Sequence, residues 1–268
     1  MNEKQWFTWL LALTVAAGAA VYYFLLREPE PLPVASAPPV ESPAAEPAPT
    51  PVATEPQYPL PPAADAEAEA PLPGLGDSDG EFIDALSALL GSANAQRLLV
   101  PEHLIRRLVV AVDNLPRERV GLREWPVKPT PGSLVVQDAG GETVLADDNG
   151  ARYTLAVTVL KAVEVDALVR LYRHYYPLFQ AAYREQGYPN GHFNDRLVVV
   201  IDHLLAAPTP AAPIRLQRPK YFYEFAEPGL EALSFGQKLM IRLGPENRAV
   251  VEDWLRALRS RVTGAAMP

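Results

Sequence analysis

The 268-residue chain contains no cysteine. This absence excludes disulfides, thiol nucleophiles and cysteine-based zinc sites, and it suits an oxidising compartment. No glycine-rich phosphate loop followed by lysine and serine or threonine is present, and no serine lies in a nucleophile-elbow pattern. We therefore expect no cofactor, and the sequence favours a non-enzymatic protein over an enzyme.

Basic residues are missing from residues 28–73, which carry eight acidic residues. Because the whole chain has a net charge of −8, the remainder sums to zero. A remainder without excess positive charge is not a nucleic-acid binder by net charge. We expect no nucleic-acid partner.

One long apolar run, residues 6–26, carries no charged side chain. As a helix it spans ~31 Å, about the thickness of a hydrocarbon core. A cleaved signal peptide is the alternative, but its apolar region would usually be about 7–15 residues long. We predict an uncleaved single-pass anchor over residues 1–27 in the inner membrane. The N-terminus is expected inside and the bulk of the chain in the periplasm.

Residues 28–76 hold more than half of the 29 prolines. Such a composition cannot bury a core and favours extended polyproline II, so we predict a disordered linker. A spacer of this kind reaches roughly 140 Å when fully extended. Binding to an aromatic groove is the alternative role for a proline-rich stretch.

Residues 77–263 predict a mainly α-helical domain with one small β-hairpin, followed by a disordered tail at residues 264–268. Acidic residues at Asp77 and Asp79 indicate a helix start, and Gly91 indicates its end. Pro101 predicts the first position of a second helix that reaches Asn114. Further helices are predicted over residues 153–163, 166–186, 230–243 and 245–262. The hairpin is predicted from residues 133–136 and 143–146.

The chemically richest stretch is residues 187–205, a turn followed by a helix with two different faces. An apolar stripe lies on one side, and His192, Asp195, Asp202 and His203 lie on the other. Carboxylates and imidazoles can bind a metal or act as an acid–base pair. The structural alternative is that the carboxylates pair with arginines of a neighbouring helix, while the histidines cap a helix or lie at the rim. Arg170 and Arg173 on the preceding helix are candidate partners.

A basic and aromatic stretch follows at residues 214–225. Its candidate ligand-binding residues are Arg215, Arg218, Tyr221 and Tyr223. Aromatic rings can stack on sugars or peptide groups while the cations bind anions. The alternative is an edge segment with buried rings and with bases paired to Asp195, Asp202 or Glu224.

Several long motifs in the folded part resemble one bacterial family. They are Val112-Asp113-Asn114-Leu115-Pro116, Trp125-Pro126-Val127-Lys128-Pro129, Tyr176-Pro177-Leu178-Phe179-Gln180-Ala181-Ala182-Tyr183, Gly187-Tyr188-Pro189 with Phe193-Asn194-Asp195-Arg196-Leu197, and Gly236-Gln237-Lys238 with Arg242-Leu243-Gly244-Pro245-Glu246-Asn247. The chain is similar here to the domain of unknown function 3014 family, over residues 79–262. The resemblance implies an N-terminal span and a proline-rich linker, but it transfers no activity.

We interpret the chain as a membrane-anchored cell-envelope protein with a non-catalytic binding or scaffolding domain. The expected partner, besides the membrane, is an envelope protein or a cell-wall component. It would bind at Arg215, Arg218, Tyr221, Tyr223, His192, Asp195 and Asp202. The alternative is a metal-assisted hydrolase that uses His192, Asp195, Asp202 and His203. A purely structural, self-associating protein is a third possibility.

Overall fold

The computed structural model describes residues 55–61 and 71–264. The predicted anchor and residues 265–268 of the predicted tail lie outside these ranges. Among the described residues, no helix combines the length and the apolar character needed to cross a bilayer.

The described part of the chain is mainly helical, as predicted. Its α-helices are α1 Asp79–Leu90, α2 Ser92–Leu98, α3 Leu104–Asn114, α4 Thr154–Ala162, α5 Val165–Glu185, α6 Phe193–Leu205, α7 Pro228–Glu231, α8 Phe235–Arg242 and α9 Pro245–Thr263. The strands β1 Val136–Ala139 and β2 Glu142–Leu145 form an antiparallel hairpin, as predicted, but β1 begins three residues after the predicted start of its strand. A second antiparallel pair, β3 Leu216–Gln217 and β4 Glu224–Phe225, was not predicted. Short 3-10 helices cover Leu122–Glu124 and Asp147–Tyr153.

A large hydrophobic core lies between the helices, and α5 and α6 supply most of its aromatic rings. Phe179 of α5 stacks on Phe193 of α6, with ring centroids 5.6 Å apart. Phe82 of α1 meets the ring of Tyr175 edge-on at 4.9 Å. Aromatic pairs of this kind stabilise a core beyond the area that they bury.

A second, smaller core joins the strands to the C-terminal helices. Its buried residues are Leu216, Phe225, Leu230 and Ile241. The two strand pairs meet here, because the backbone amide of Leu145 donates to the carbonyl of Ile214 at 2.9 Å. The β3–β4 hairpin is therefore built onto the body of the domain.

Several predicted helix ends are confirmed by backbone geometry. Helix α1 ends before Gly91, whose φ of 80° is a conformation that glycine tolerates best. Helix α9 has Pro245 in its first turn, where a missing amide hydrogen does no harm. Pro177 lies inside α5, which is nevertheless continuous from Val165 to Glu185.

The predicted start of α3 at Pro101 is wrong by three residues. The helix begins at Leu104, and His103 before it has a left-handed backbone with φ of 54°. The carboxylate of Asp79 accepts the backbone amides of His103 at 2.6 Å and Leu104 at 2.9 Å. A side chain from α1 therefore caps α3, which local sequence cannot reveal.

The predicted helix over residues 230–243 is divided into α7 and α8. Ser234 causes the division, because its side chain accepts the backbone amide of Gln237 and caps α8. Helix α2 was missed, since its seven residues have no apolar stripe to indicate a helix.

Two described pieces of the chain fall within the predicted linker, residues 55–61 and 71–76. Tyr58, Leu60, Leu72 and Leu75 are partly buried and pack against the large core. Part of the proline-rich sequence is thus in contact with the helical domain.

Candidate functional site

The turn between α5 and α6 is fixed by the side chain of Gln180. Its amide nitrogen donates to the carbonyl of Gly191 at 2.8 Å, and its amide oxygen accepts the backbone amide of Phe193 at 2.9 Å. Gln180 is only 7% exposed. A buried amide with both ends satisfied holds one geometry, so the first turn of α6 is rigidly positioned.

Asn194 and Asp195, in that first turn, contact residues 57 and 58 of the chain. The two carboxylate oxygens of Asp195 accept the backbone amides of Gln57 at 2.9 Å and Tyr58 at 2.7 Å. The side-chain amide of Asn194 donates to the carbonyl of Tyr58 at 2.8 Å. The Asn194/Asp195 pair thus binds the main chain of a segment more than 130 residues away in sequence.

Asp202, the second carboxylate of this stripe, has a different partner from Asp195. Asp202 is exposed and forms a bidentate ion pair with Arg259 of α9, at 2.5 and 3.0 Å. The alternative that a carboxylate pairs with an arginine of a neighbouring helix is confirmed for Asp202, but the partner is Arg259 of α9 and not Arg170 or Arg173 of α5. The sequence could not show that α9, rather than α5, brings an arginine beside Asp202.

His203 lies in a different environment from the carboxylates. Its Nε2 is 2.8 Å from Oγ of Ser234, the residue that caps α8. Burial, followed by the nearby charge of Arg196, lowers the pKa of His203 below its usual range. This environment favours the neutral imidazole. His192 lies at the N-terminal boundary of α6.

The predicted metal set does not come together in the described part of the chain. Within residues 55–61 and 71–264, no group of three or more histidine, aspartate or glutamate side chains is arranged to hold a metal ion. Asp195, Asp202 and His203 instead have backbone, arginine and serine partners. The hydrolase alternative stays a prediction that this geometry does not favour.

A buried carboxylate that sequence reasoning missed is Asp113, at the end of α3. Its side chain is 5% exposed and pairs with Arg196 at 2.8 Å and Arg117 at 2.9 Å. The hydroxyl of Tyr188 donates to the same carboxylate at 3.2 Å. Two of the long sequence motifs therefore meet at this carboxylate, one through Asp113 and the other through Tyr188 and Arg196.

An open depression of about 230 Å³ lies beside this cluster, lined in part by Asp113, Arg117 and Tyr188. The Asp113 carboxylate accepts bonds from all three of its neighbours, so its charge is already compensated. The cluster holds α3, α6 and the α5–α6 turn together. Both oxygens of the carboxylate have partners within the chain, so the geometry indicates a structural role.

The basic and aromatic residues lie on the β3–β4 hairpin, where residues 218–223 form a loop that we call the aromatic loop. Tyr221 and Phe222 at its tip are 81% and 82% exposed. The guanidinium of Arg218 lies over the ring of Tyr223 at 5.3 Å, and its Nε donates to the carbonyl of Tyr221 at 3.3 Å. The loop thus orders its own cation and leaves its two central rings in solvent.

Arg215 at the start of the hairpin pairs with Glu142 of β2 at 2.7 Å. The prediction that bases of this stretch pair with Asp195, Asp202 or Glu224 is therefore wrong for Arg215. The pair extends the contact between the two strand pairs, which local sequence did not indicate. Both partners are more than half exposed, so the pair contributes little to stability.

The predicted binding residues thus belong to two surfaces with different partners. Arg215, Arg218, Tyr221 and Tyr223 lie on the β3–β4 hairpin over the smaller core. His192, Asp195 and Asp202 lie on or beside α6 over the large core.

Comparisons with known proteins agree with the motifs on these elements. The comparison with curated proteins and the comparison with solved structures gave no match. The family described as "Protein of unknown function (DUF3014)" matches residues 104–259, more than half of the chain. This range contains α3 to α8, both strand pairs and most of α9, including Asp113, the Asn194/Asp195 pair and the aromatic loop. The chain belongs to the DUF3014 family.

Proposed function

We propose that the chain is a single-pass, membrane-anchored cell-envelope protein whose helical domain is a non-catalytic binding or scaffolding module in the periplasm. Its ligand is an envelope protein or a cell-wall component. The observation that carries this proposal is the exposure of Tyr221 and Phe222, at 81% and 82%, on a hairpin whose strands are packed into the smaller core.

The base of the hairpin is held by buried contacts. The exposed rings are therefore held in position before a ligand binds. Phe225 is fully buried, and its backbone amide donates to the carboxylate of Glu231 at 2.9 Å. Lys238 neutralises that carboxylate at 2.8 Å and is itself 7% exposed. The guanidinium of Arg242 lies 5.2 Å from the centroid of the Phe225 ring. A rigid base lowers the entropy lost when the loop binds a ligand.

The composition of the aromatic loop indicates the chemistry of the ligand. Residues 218–223 include Arg218 and Lys220 and no acidic residue. Exposed aromatic rings stack on sugar rings, prolines and other flat apolar groups, and neighbouring cations attract carboxylates. Both an acidic protein surface and a cell-wall polymer with carboxylates have this combination of groups.

The second part of the predicted surface, at His192, Asp195 and Asp202, does not make the first contact with the ligand in this proposal. Asp195 and Asp202 already accept hydrogen bonds from the same chain. A ligand could reach these carboxylates only by displacing a backbone segment or an arginine. We therefore assign the first contact to Arg218, Tyr221, Phe222 and Tyr223.

The test compares the full chain in detergent micelles with its Tyr221→Ala/Phe222→Ala variant. Cell-wall binding is measured by co-sedimentation with purified peptidoglycan, and protein binding by a photo-crosslinking residue introduced into both chains at the exposed position 219. We expect the double variant to bind at least about tenfold more weakly, since aromatic residues dominate binding surfaces. The matched control is Val199→Ala, which removes a 47% exposed apolar side chain on α6.

Equal binding by the double variant and the Val199→Ala control would contradict the proposed surface. The topology is tested separately with a reporter enzyme fused at the C-terminus. Activity on the periplasmic side is expected, and activity on the cytoplasmic side would overturn the envelope assignment.

A further inference from the structure

Residues 55–61, with the sequence Glu-Pro-Gln-Tyr-Pro-Leu-Pro, lie on the domain as a short segment that bends at Gln57 and Tyr58. Tyr58 and Leu60 are half-buried and pack against the large core, whereas Gln57 and Pro59 are exposed. The segment therefore contacts the domain through the side chains of Tyr58 and Leu60.

The Asn194/Asp195 pair contacts this segment through its backbone. The carboxylate of Asp195 accepts two successive backbone amides, from Gln57 at 2.9 Å and from Tyr58 at 2.7 Å. Asn194 donates to the next carbonyl, that of Tyr58, at 2.8 Å. A carboxylate that accepts backbone amides makes charge-assisted bonds, which are the stronger kind. These three bonds are made to the main chain of Gln57 and Tyr58 and not to their side chains.

Asn194 is held in its binding orientation by other residues of the domain. It is 1% exposed, its side-chain amide also donates to the carbonyl of Val262 at 3.0 Å, and its oxygen accepts the hydroxyl of Tyr172 at 3.3 Å. Burial raises the pKa of Tyr172 well above its usual range, so this hydroxyl remains a donor. The donor that meets the peptide carbonyl is therefore preorganised by contacts that do not involve the peptide.

The segment itself suits this mode of binding. Pro56, Pro59 and Pro61 each have a fixed φ, so the segment loses less backbone entropy on binding than a chain without proline. Gln57 and Tyr58 are the two adjacent residues between prolines, and both retain the amide hydrogens that Asp195 needs. Pro61 packs against Gly264, where an added Cβ would lie only 3.0 Å from Cγ of the proline.

We propose that Asn194 and Asp195 form a peptide-recognition site for a proline-flanked Gln-Tyr-Pro-Leu-Pro sequence, which residues 55–61 occupy in cis. We call it the peptide site. This site lies on a different surface from the aromatic loop. An experiment that contradicts the function proposed above therefore does not contradict this site, and the reverse also holds. A peptide of the same chemistry added in trans must compete with the chain's own segment, whose effective concentration is high because it is tethered.

The test measures binding of a fluorescently labelled peptide of residues 55–61 by fluorescence anisotropy. The receptor is the full chain carrying Tyr58→Ala and Leu60→Ala, which weakens its own segment without altering residues 71–264. We expect saturable binding, and binding at least about tenfold weaker to the wild-type chain because of competition in cis. Absence of saturable binding to the variant, or equal binding to both chains, would overturn the proposal.

Two further changes show whether the backbone bonds are responsible. A peptide with an N-methyl group on the Tyr58 amide keeps every side chain but loses one donor, and it cannot affect the folding of the receptor. Adding Asp195→Ala to the receptor removes the acceptor. Each change should weaken binding by about tenfold or more. Adding Asp166→Ala, which removes an exposed carboxylate paired with Arg261, should not weaken it. Unchanged affinity for the methylated peptide would refute recognition through the backbone.

Discussion

The α6 surface, formed by Asn194, Asp195 and Asp202, carries carboxylates and an amide, whereas the aromatic loop carries cations and aromatic rings. At the start of α6, polar groups are satisfied within the chain, including by the distant backbone of Gln57 and Tyr58. In the aromatic loop, Tyr221 and Phe222 remain in solvent. The comparison teaches that the number of charges and aromatic rings does not locate a binding surface. What distinguishes the two regions is whether their groups already have partners.

The largest expected difference lies within a single hairpin, between Phe225 and Phe222. Phe225 is fully buried in the smaller core, whereas Phe222 is 82% exposed. Phe225→Ala should lower the free energy of unfolding by about 4 kcal/mol, because it leaves a cavity in the core. Phe222→Ala should change it by less than about 0.5 kcal/mol. Urea titration of each full-length variant measures both values, and similar losses would show that the loop is a structural element rather than a presented surface.

Asp113 is the strongest example of internal satisfaction on the helical side. Asp113→Ala would leave Arg196 without its carboxylate partner, which is 5% exposed. Removing one member of a largely buried pair is strongly destabilising, and we expect a loss of about 3 kcal/mol since Arg196 keeps some access to water. The measurement is again the urea midpoint. Glu185→Ala serves as the control, because Glu185 is half-exposed in its pair with Arg106 and should have little effect. Similar urea midpoints for the two variants would contradict a structural role for the Asp113 cluster.

A smaller loss is expected at Gly236, where α8 begins against α3 and α6. An added Cβ would lie 2.5 Å from a methyl carbon of Leu204 and 3.0 Å from the carbonyl oxygen of Leu115. Overpacking of this kind costs about 2 kcal/mol, so Gly236→Ala should lower the thermal midpoint. The matched control is Gly80→Ala in α1, where nothing lies within 4 Å of the added carbon. A stable Gly236→Ala variant would mean that the helices can move apart.

Much of the helical architecture could be predicted from local signals. Apolar periodicity and terminal residues placed α1, α6 and α9 within about two residues, since each buries one face and has a glycine or proline at a boundary. The hairpin of β1 and β2 followed from the adjacent pair Gly140 and Gly141, both of which have positive φ. These features depend on residues near each other in sequence.

The rest depends on contacts between distant residues. The start of α3 is set by Asp79, 24 residues before His103, and the partner of Asp202 is 57 residues away at Arg259. The docked segment is the clearest case, because its proline content favoured a spacer and its partner Asp195 is 137 residues from Tyr58. Local periodicity carries no information about such pairings. The sequence therefore placed Asp195 and Asp202 on one helix, but it did not indicate their partners.

Hydrogen exchange of the full chain in detergent, read at single-residue resolution by NMR, is the most direct test of the contrast between the two surfaces. The bonds to Asp195 should slow exchange of the Gln57 and Tyr58 amides by about tenfold or more relative to the Asp195→Ala variant. The Phe222 amide in the exposed loop should exchange equally in both chains. If the amides of Gln57 and Tyr58 exchange as fast in the wild-type chain as in the variant, the α6 surface does not hold the linker, and the distinction between a satisfied and a presented surface fails.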